Sequence, residues 1–247
     1  MHEMSHEVEV DPRIWDLRPD FVVSVVRARQ LENGPSDSSS TSLFRRAEER
    51  AREALKGAEP AAQPHVAAWR EAYRAFGAKA QRTPCSAEAL LRRVVSGEGL
   101  PPINRLVDLY NALSVEFLIP VGGEDLSRIV GPSRLTIAAG AEPFDTLRSG
   151  EPIVEQPAAG EVVWLDDAGV TCRRWNWRQC VRTRLTEPST EALFVLERLE
   201  PFPLPVLEEA TEALVTRLSE LCPAAEVETW TIGPSGHELP DWSASGF

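Results

Sequence analysis

"INRLVDLYNALSVEFLIPVGGEDLSRI", residues 103–129, is where the chain changes character. Its first half carries Ile103, Leu106, Val107 and Leu113 on one helical face and follows two prolines, which predicts a helix over 101–117. From Phe117 onward short strand-like runs dominate: FLIPVG, RLTIAAG, EVVWLDD, VTCRRWNW, VRTRLT and ALFVLERL. DDAG (166–169) reads as the turn of a hairpin, with Gly169 supplying the positive φ. Upstream, FVVSVVRARQL (21–31) has the β-branched richness of a buried strand, and NGPSDSSSTS (33–42) reads as a surface loop. Helices are predicted over 43–57, 64–77 and 86–97, and again over 205–222, before a last strand at 225–233. Val66, Trp69, Tyr73 and Phe76 recur at helical spacing, a core stripe rather than a cofactor box. Helices first, then strands, then helix and strand, with no internal repeat, predict an α+β domain with a mixed or antiparallel sheet flanked by helices. That domain is expected over 13–233, between a flexible N-terminus (1–12) and a C-terminal tail (234–247).

Composition narrows the partners. The 247 residues carry a formal net charge of −12, which argues against a broad nucleic-acid surface, although a local contact with one RNA end survives. Only two of the 26 basic residues, Lys56 and Lys79, are lysines, so arginine abundance by itself says nothing about phosphate. No apolar run approaches a membrane span, and the acidic start lacks the apolar stretch of a secretory signal, so the expected location is cytoplasmic. The cysteines at 85, 172, 180 and 222 form no CxxC and no zinc spacing; reduced thiols, no metal and no cofactor are expected.

The usual catalytic signatures are missing: no GxSxG, P-loop or HExxH occurs. Three of the four histidines lie near the termini, so no histidine-dependent general base is supported. The Gly122-Gly123 pair reads as a turn. What remains is polar residues where structure would prefer apolar ones. Arg105 and Asn111 stand six positions apart in the predicted helix and share no tight face. The alternative to a site role is that Arg105 is solvent-exposed and Asn111 caps the helix or bonds backbone. Glu197 lies in ALFVLERL on the face of Leu193, Val195 and Leu199, either a solvated edge or a buried acid needing a partner.

"TCRRWNWRQC" (171–180) is read as one strand. Period two places Thr171, Arg173, Trp175, Trp177 and Gln179 on one face, and Cys172, Arg174, Asn176, Arg178 and Cys180 on the other. Arg174, Asn176 and Arg178 in line suit a carboxylate, phosphate or ribose, or pair with acids on neighbouring strands.

The 103–129 stretch resembles the start of the B3/B4 domain of the phenylalanyl-tRNA synthetase β chain, through Ile103-Asn104, Val107-Asp108, Asn111 and Asp125-Leu126. "AAGAEPFDTLRSGE" (138–151), "EVVWLDDAGV" and "LFVLERLEPF" are similar to further motifs of that domain, in the same order, so the resemblance covers roughly residues 20–233. It implies a freestanding B3/B4 domain. In the synthetase this domain is the editing site, which hydrolyses tyrosine wrongly esterified to the phenylalanine tRNA. By position, Arg105, Asn111 and Glu197 fall on that pocket. Two departures matter: the family's "LHAFD" histidine falls at Val121–Gly122, and its glycine-rich "AGVMGG" is replaced by CRRWNWRQ. Tyrosine specificity is therefore not carried over.

The resulting expectation is a trans-acting aminoacyl-tRNA deacylase, the alternative being a non-catalytic module that binds tRNA or an amino-acid-like ligand. Asn111 and Glu197 are the candidate catalytic residues. Asn104, Arg105, Arg174, Trp175, Asn176, Arg178 and Gln179 are the candidate substrate-binding residues. The expected partner is the aminoacylated 3′ end of a tRNA, with neither membrane nor DNA.

Overall fold

The computed structural model describes residues 8–234. Strand β1 (Val8–Val10) and helix α1 (Pro12–Leu17) lead into β2 (Val22–Arg29). A helical layer follows: α2 (Ser38–Leu55), α3 (Pro64–Ala75), α4 (Ser86–Ser96) and α5 (Arg105–Phe117). Next come β3 (Val121–Asp125), β4 (Ser133–Ile137), β5 (Phe144–Arg148), β6 (Glu151–Glu155), β7 (Val162–Asp166), β8 (Gly169–Arg173), β9 (Arg178–Gln179) and β10 (Ala192–Arg198). Helix α6 (Leu204–Leu221) and β11 (Glu226–Ile232) complete the described chain. The class is α+β, with one parallel pair, β1 on β4, among antiparallel ladders.

One sheet runs β11-β2-β10-β3 and the other β1-β4-β7-β8-β9, with β5-β6 as a separate hairpin. The alternation of β2 and β10 sorts the core between two layers. Val22, Val26, Ala28, Phe194 and Leu196 pack with Leu207, Ala210 and Leu214 of α6 and with α5. On that face the buried Thr211 hydroxyl donates to the Ser24 hydroxyl at 2.9 Å, so both polar groups are satisfied. The opposite residues, Val23, Val25 and Leu193, meet Leu135, Val162, Trp164 and Trp175 of the second sheet, together with Trp69 and Tyr73 of α3. The aromatic stripe of α3 is core, as its spacing predicts. A third cluster joins Phe44, Ala47 and Ala51 of α2 to Leu91 of α4 and Ala112 of α5.

Five expectations change, the first four at single elements. Val8–Val10 is a strand on β4, inside the segment expected to be flexible; residues 1–7, and the tail beyond 234, lie outside the described residues. Helix α2 begins at Ser38, within the expected loop, because Asp37 accepts from the Ser39 and Ser40 amides at 2.8 and 3.2 Å and caps it. Helix α5 begins at Arg105, not at the prolines, because Asn104 is its N-cap and accepts from the Val107 amide at 3.1 Å. Gly122-Gly123 is not a turn: both lie in β3. A Cβ on Gly123 would come within 2.9 Å of Tyr110 and 3.0 Å of Phe194, so two rings close directly on its backbone.

The largest change is at 171–180. This is no continuous strand but a hairpin: β8 ends at Arg173, β9 begins at Arg178, and Cys172 pairs with Gln179. Arg174 and Trp175 at the bend are both left-handed, with φ of 50° and 68°. The Trp175 amide donates to the Val162 carbonyl at 2.7 Å, tying the bend to β7. A tertiary contact overrides local pattern here, and the period-two assignment of faces across the stretch fails.

Candidate functional site

Between the two sheets, roofed by α4 and α5, lies a cavity of about 250 Å³. Its walls include Tyr110 and Asn111 of α5, Gly122 and Glu124 of β3, Trp164 of β7, Leu193, Val195 and Glu197 of β10, and Trp175–Gln179 of the hairpin. Sites for drug-sized ligands occupy roughly 300–1,000 Å³, so this space is scaled to something nearer an amino acid.

Glu197 is buried, and among the described residues its carboxylate has neutral donors only. Trp164 Nε1 donates to Oε1 at 2.9 Å and Asn176 Nδ2 to Oε2 at 2.8 Å. Asn176 Oδ1 accepts in turn from the Tyr73 hydroxyl at 2.8 Å, and the Asn176 carbonyl takes the Ser86 amide at 2.9 Å. The chain Tyr73–Asn176–Glu197–Trp164 thus orients the acid by side chains that are themselves locked in the core. Burial pushes the Glu197 carboxyl up to about 7, against the lowering effect of those hydrogen bonds. A carboxylate has about four acceptor positions, so two stay available for a ligand or a water.

Asn111 faces the same cavity, and its side-chain amide makes no hydrogen bond among the described residues. The residue is nearly buried while its amide atoms stay accessible, so the donor and acceptor it presents open onto the cavity, where a ligand would meet them. Trp175 is wholly buried against Phe21 and Trp69, with ring centroids 5.0 and 5.2 Å away, and its indole N–H lies close enough to Glu197 to favour the charged carboxylate without completing a hydrogen bond of normal geometry.

Glu124 is the acid that sequence reasoning missed. It accepts from the Thr183 hydroxyl at 3.0 Å, pairs with no cation among the described residues, and is pushed up to about 7 by burial. In register it stands opposite Leu193, four residues along β10 from Glu197. Four residues of strand span about 13 Å. The two carboxyls therefore mark separate ends of the cavity and do not form a dyad. The signal available was parity: Glu124 shares a face of β3 with Gly122, which a turn reading concealed.

The other candidates separate. Asn176 and Glu197 meet directly. Arg178 and Gln179 line the cavity, Arg178 donating to the Leu147 carbonyl at 3.0 Å and Gln179 to the Gly123 carbonyl at 2.9 Å. Arg174 lies outside it, stacked over Trp177 with its guanidinium 4.4 Å from the ring centroid. Asn104 and Arg105 are not in it either. Asn104 caps α5 and donates to the Leu185 carbonyl at 3.1 Å, and Arg105 donates to the Glu32 carbonyl at 3.1 Å. They sit at the far end of α5, where capping and loop anchoring explain them without a ligand. Arg173 is held by two 2.9 Å bonds to Glu161 and one of 3.1 Å to Glu155, a buried structural ion pair. His65 is also structural: it takes the Trp69 indole N–H at 3.0 Å and the Leu199 amide at 3.2 Å, and burial lowers it to about 4. The thiols of Cys85 and Cys180 are pushed up by burial to about 12 and 11, which leaves them inert as nucleophiles near neutrality.

An α+β domain whose two sheets enclose an acid-bearing cavity narrows the class, and the family follows. The chain belongs to the B3/4 domain family, whose model matches residues 68–204, more than half of its length. That span contains every cavity residue named above. Among solved structures it is similar to an N-terminal fragment of the phenylalanyl-tRNA synthetase beta-subunit from Pyrococcus horikoshii, at 15% identity and a TM-score of 0.44 over 90% of this chain. The chain spans about half of that fragment, at 50%. No curated protein matches it. No helix among the described residues is long and apolar enough to cross a membrane.

Proposed function

We propose that the cavity takes the aminoacylated 3′ end of a tRNA and that the protein hydrolyses the ester, acting on charged tRNA in trans. The observation that carries this reading is the convergence of Glu197 and the unengaged Asn111 amide on one cavity of amino-acid size. An aminoacyl ester is already activated, so a site needs only to place a water and steady the developing oxyanion. With its carboxyl titrating near 7, Glu197 is ionised in a useful fraction at neutral pH and basic enough to take a proton. It draws the proton from a water attacking the carbonyl carbon. The Asn111 amide donates to the carbonyl oxygen as it gains charge, and the ester C–O bond breaks as the ribose hydroxyl leaves with a proton. Glu124, at the other end, meets the side chain of the amino acid. The editing role implied by the family resemblance agrees with this chemistry, which needs no histidine.

The test is amino-acid release from a panel of charged tRNAs by the purified protein, with E197Q and N111A alongside. Release that falls at least 100-fold in E197Q supports the proposal; no release from any charged tRNA sinks it. A second reading, a binding module without chemistry, is favoured by the lack of any histidine in the cavity wall among the described residues. It predicts that charged tRNA is bound and its ester decays at the spontaneous rate.

A further inference from the structure

Trp177 belongs to two cavities. On one side it lines the acidic pocket; on the other it borders a groove of about 450 Å³ formed by Gly77, Lys79 and Arg82 after α3, Ala158, Glu161 and Arg174. In a chain of net charge −12 this groove collects three cations, Lys79, Arg82 and Arg174, against the single acid Glu161. That acid is already neutralised by its paired bonds from Arg173. Lys79 and Arg82 are exposed, and neither side chain has a hydrogen bond or ion pair among the described residues. Arg174 adds a stacked guanidinium to the Trp177 ring.

The bend that builds this wall is strained. Two consecutive non-glycine residues, Arg174 and Trp175, lie in the left-handed region, which L side chains adopt only when the surroundings hold them there. The conformation sends Trp175 into the core and leaves Trp177 half-buried at the junction. Core packing accounts for Trp175. Arg174 also lies 3.7 Å from Glu161, so the cations without a partner among the described residues are Lys79 and Arg82, and core packing does not account for a tryptophan–arginine pair facing them.

We propose that this groove holds the sugar–phosphate backbone of a single-stranded RNA end, with Lys79 and Arg82 on phosphates and a base stacked on the Trp177–Arg174 layer, so that the terminal group passes into the pocket. The assignment extends the ester-hydrolysis reading and relies on it for the direction of entry only. Stacking plus backbone charge is how single strands are held without base reading, and a small basic groove suffices where the overall charge excludes a broad one.

The experiment is fluorescence anisotropy of a labelled single-stranded RNA oligonucleotide against the full chain over a salt series. K79E/R82E, W177A and a charge-matched control on the exposed face of α2, R45E/R46E, are compared with the unaltered protein. Expected are salt-sensitive binding and at least a tenfold loss in K79E/R82E, with a log–log salt slope shallower by about 1.4 for two phosphate contacts. W177A is expected to lose roughly tenfold, and R45E/R46E to stay unchanged. The proposal is overturned if unaltered protein does not bind the oligonucleotide, if both double variants weaken it equally, or if a duplex of the same sequence binds as tightly. The two readings fail separately. Absent hydrolysis with groove-dependent binding removes the deacylase alone, whereas hydrolysis of charged tRNA untouched by K79E/R82E removes the groove alone.

Discussion

On one face of β10, Phe194 and Leu196 sink into α5 and α6 among apolar neighbours; on the other, a few ångströms away, Glu197 is buried just as deeply. The first face follows from the hydrophobic effect alone. The second works against it, since a buried carboxylate without a cation resists ionisation. The molecule tolerates it by supplying Trp164 and Asn176 as neutral donors, with Tyr73 fixing the Asn176 amide. Equal burial therefore carries different information: one face is explained by packing, the other asks for a ligand.

Variants can break this contrast. The largest effect belongs to the dry face: F194A should cost about 3–5 kcal/mol through lost burial and a cavity, read as a lower urea midpoint with activity per folded molecule retained. The wet face should instead show itself in pH. With its folded value near 7 and an ordinary value of 4.5, Glu197 favours the folded state most below pH 4.5, where it is protonated in both states. That contribution is lost as pH rises towards 7, by on the order of 3 kcal/mol. E197Q should remove this dependence, so that the stability difference between variant and unaltered protein grows in the variant's favour from pH 4.5 to 8. A constant difference across that range would contradict the buried, unpaired acid.

Y73F tests the relay more gently. Losing its bond to Asn176 should cost about 1–2 kcal/mol in denaturation and lower the rate of ester release more than its KM. The smallest stability effect is expected from N111A, within about 0.5 kcal/mol, because the amide has no partner among the described residues to lose. Release of amino acid should nonetheless fall in N111A and hold in R105A, which sits on the same helix outside the cavity.

Much of this was readable from the chain. The switch from helix to strand near Phe117, the apolar periodicity of α3 and the two-sided burial of β10 are local patterns, and Glu197 stood out because it interrupts one of them. Asn104 and Arg105 were misplaced for an equally local reason: a cap and an anchor look like pocket residues when they adjoin a family motif. Glu124 escaped notice because its burial comes from β8, β9 and Thr183, far along the sequence.

The hairpin at 171–180 marks the boundary between the two kinds of information. Sequence by itself determined which side chains were there, two tryptophans among arginines and amides in an acidic chain, and that they lay in an α+β domain. Which way they point was decided by tertiary structure alone. The Val162 carbonyl captures the Trp175 amide, and Phe21, Trp69 and Phe76 pack around its ring. Those contacts outweigh the cost of two left-handed residues and break the alternation on which any reading of faces depends. A period-two pattern holds only while the strand does, and no local signal in these ten residues announces the partner that ends it.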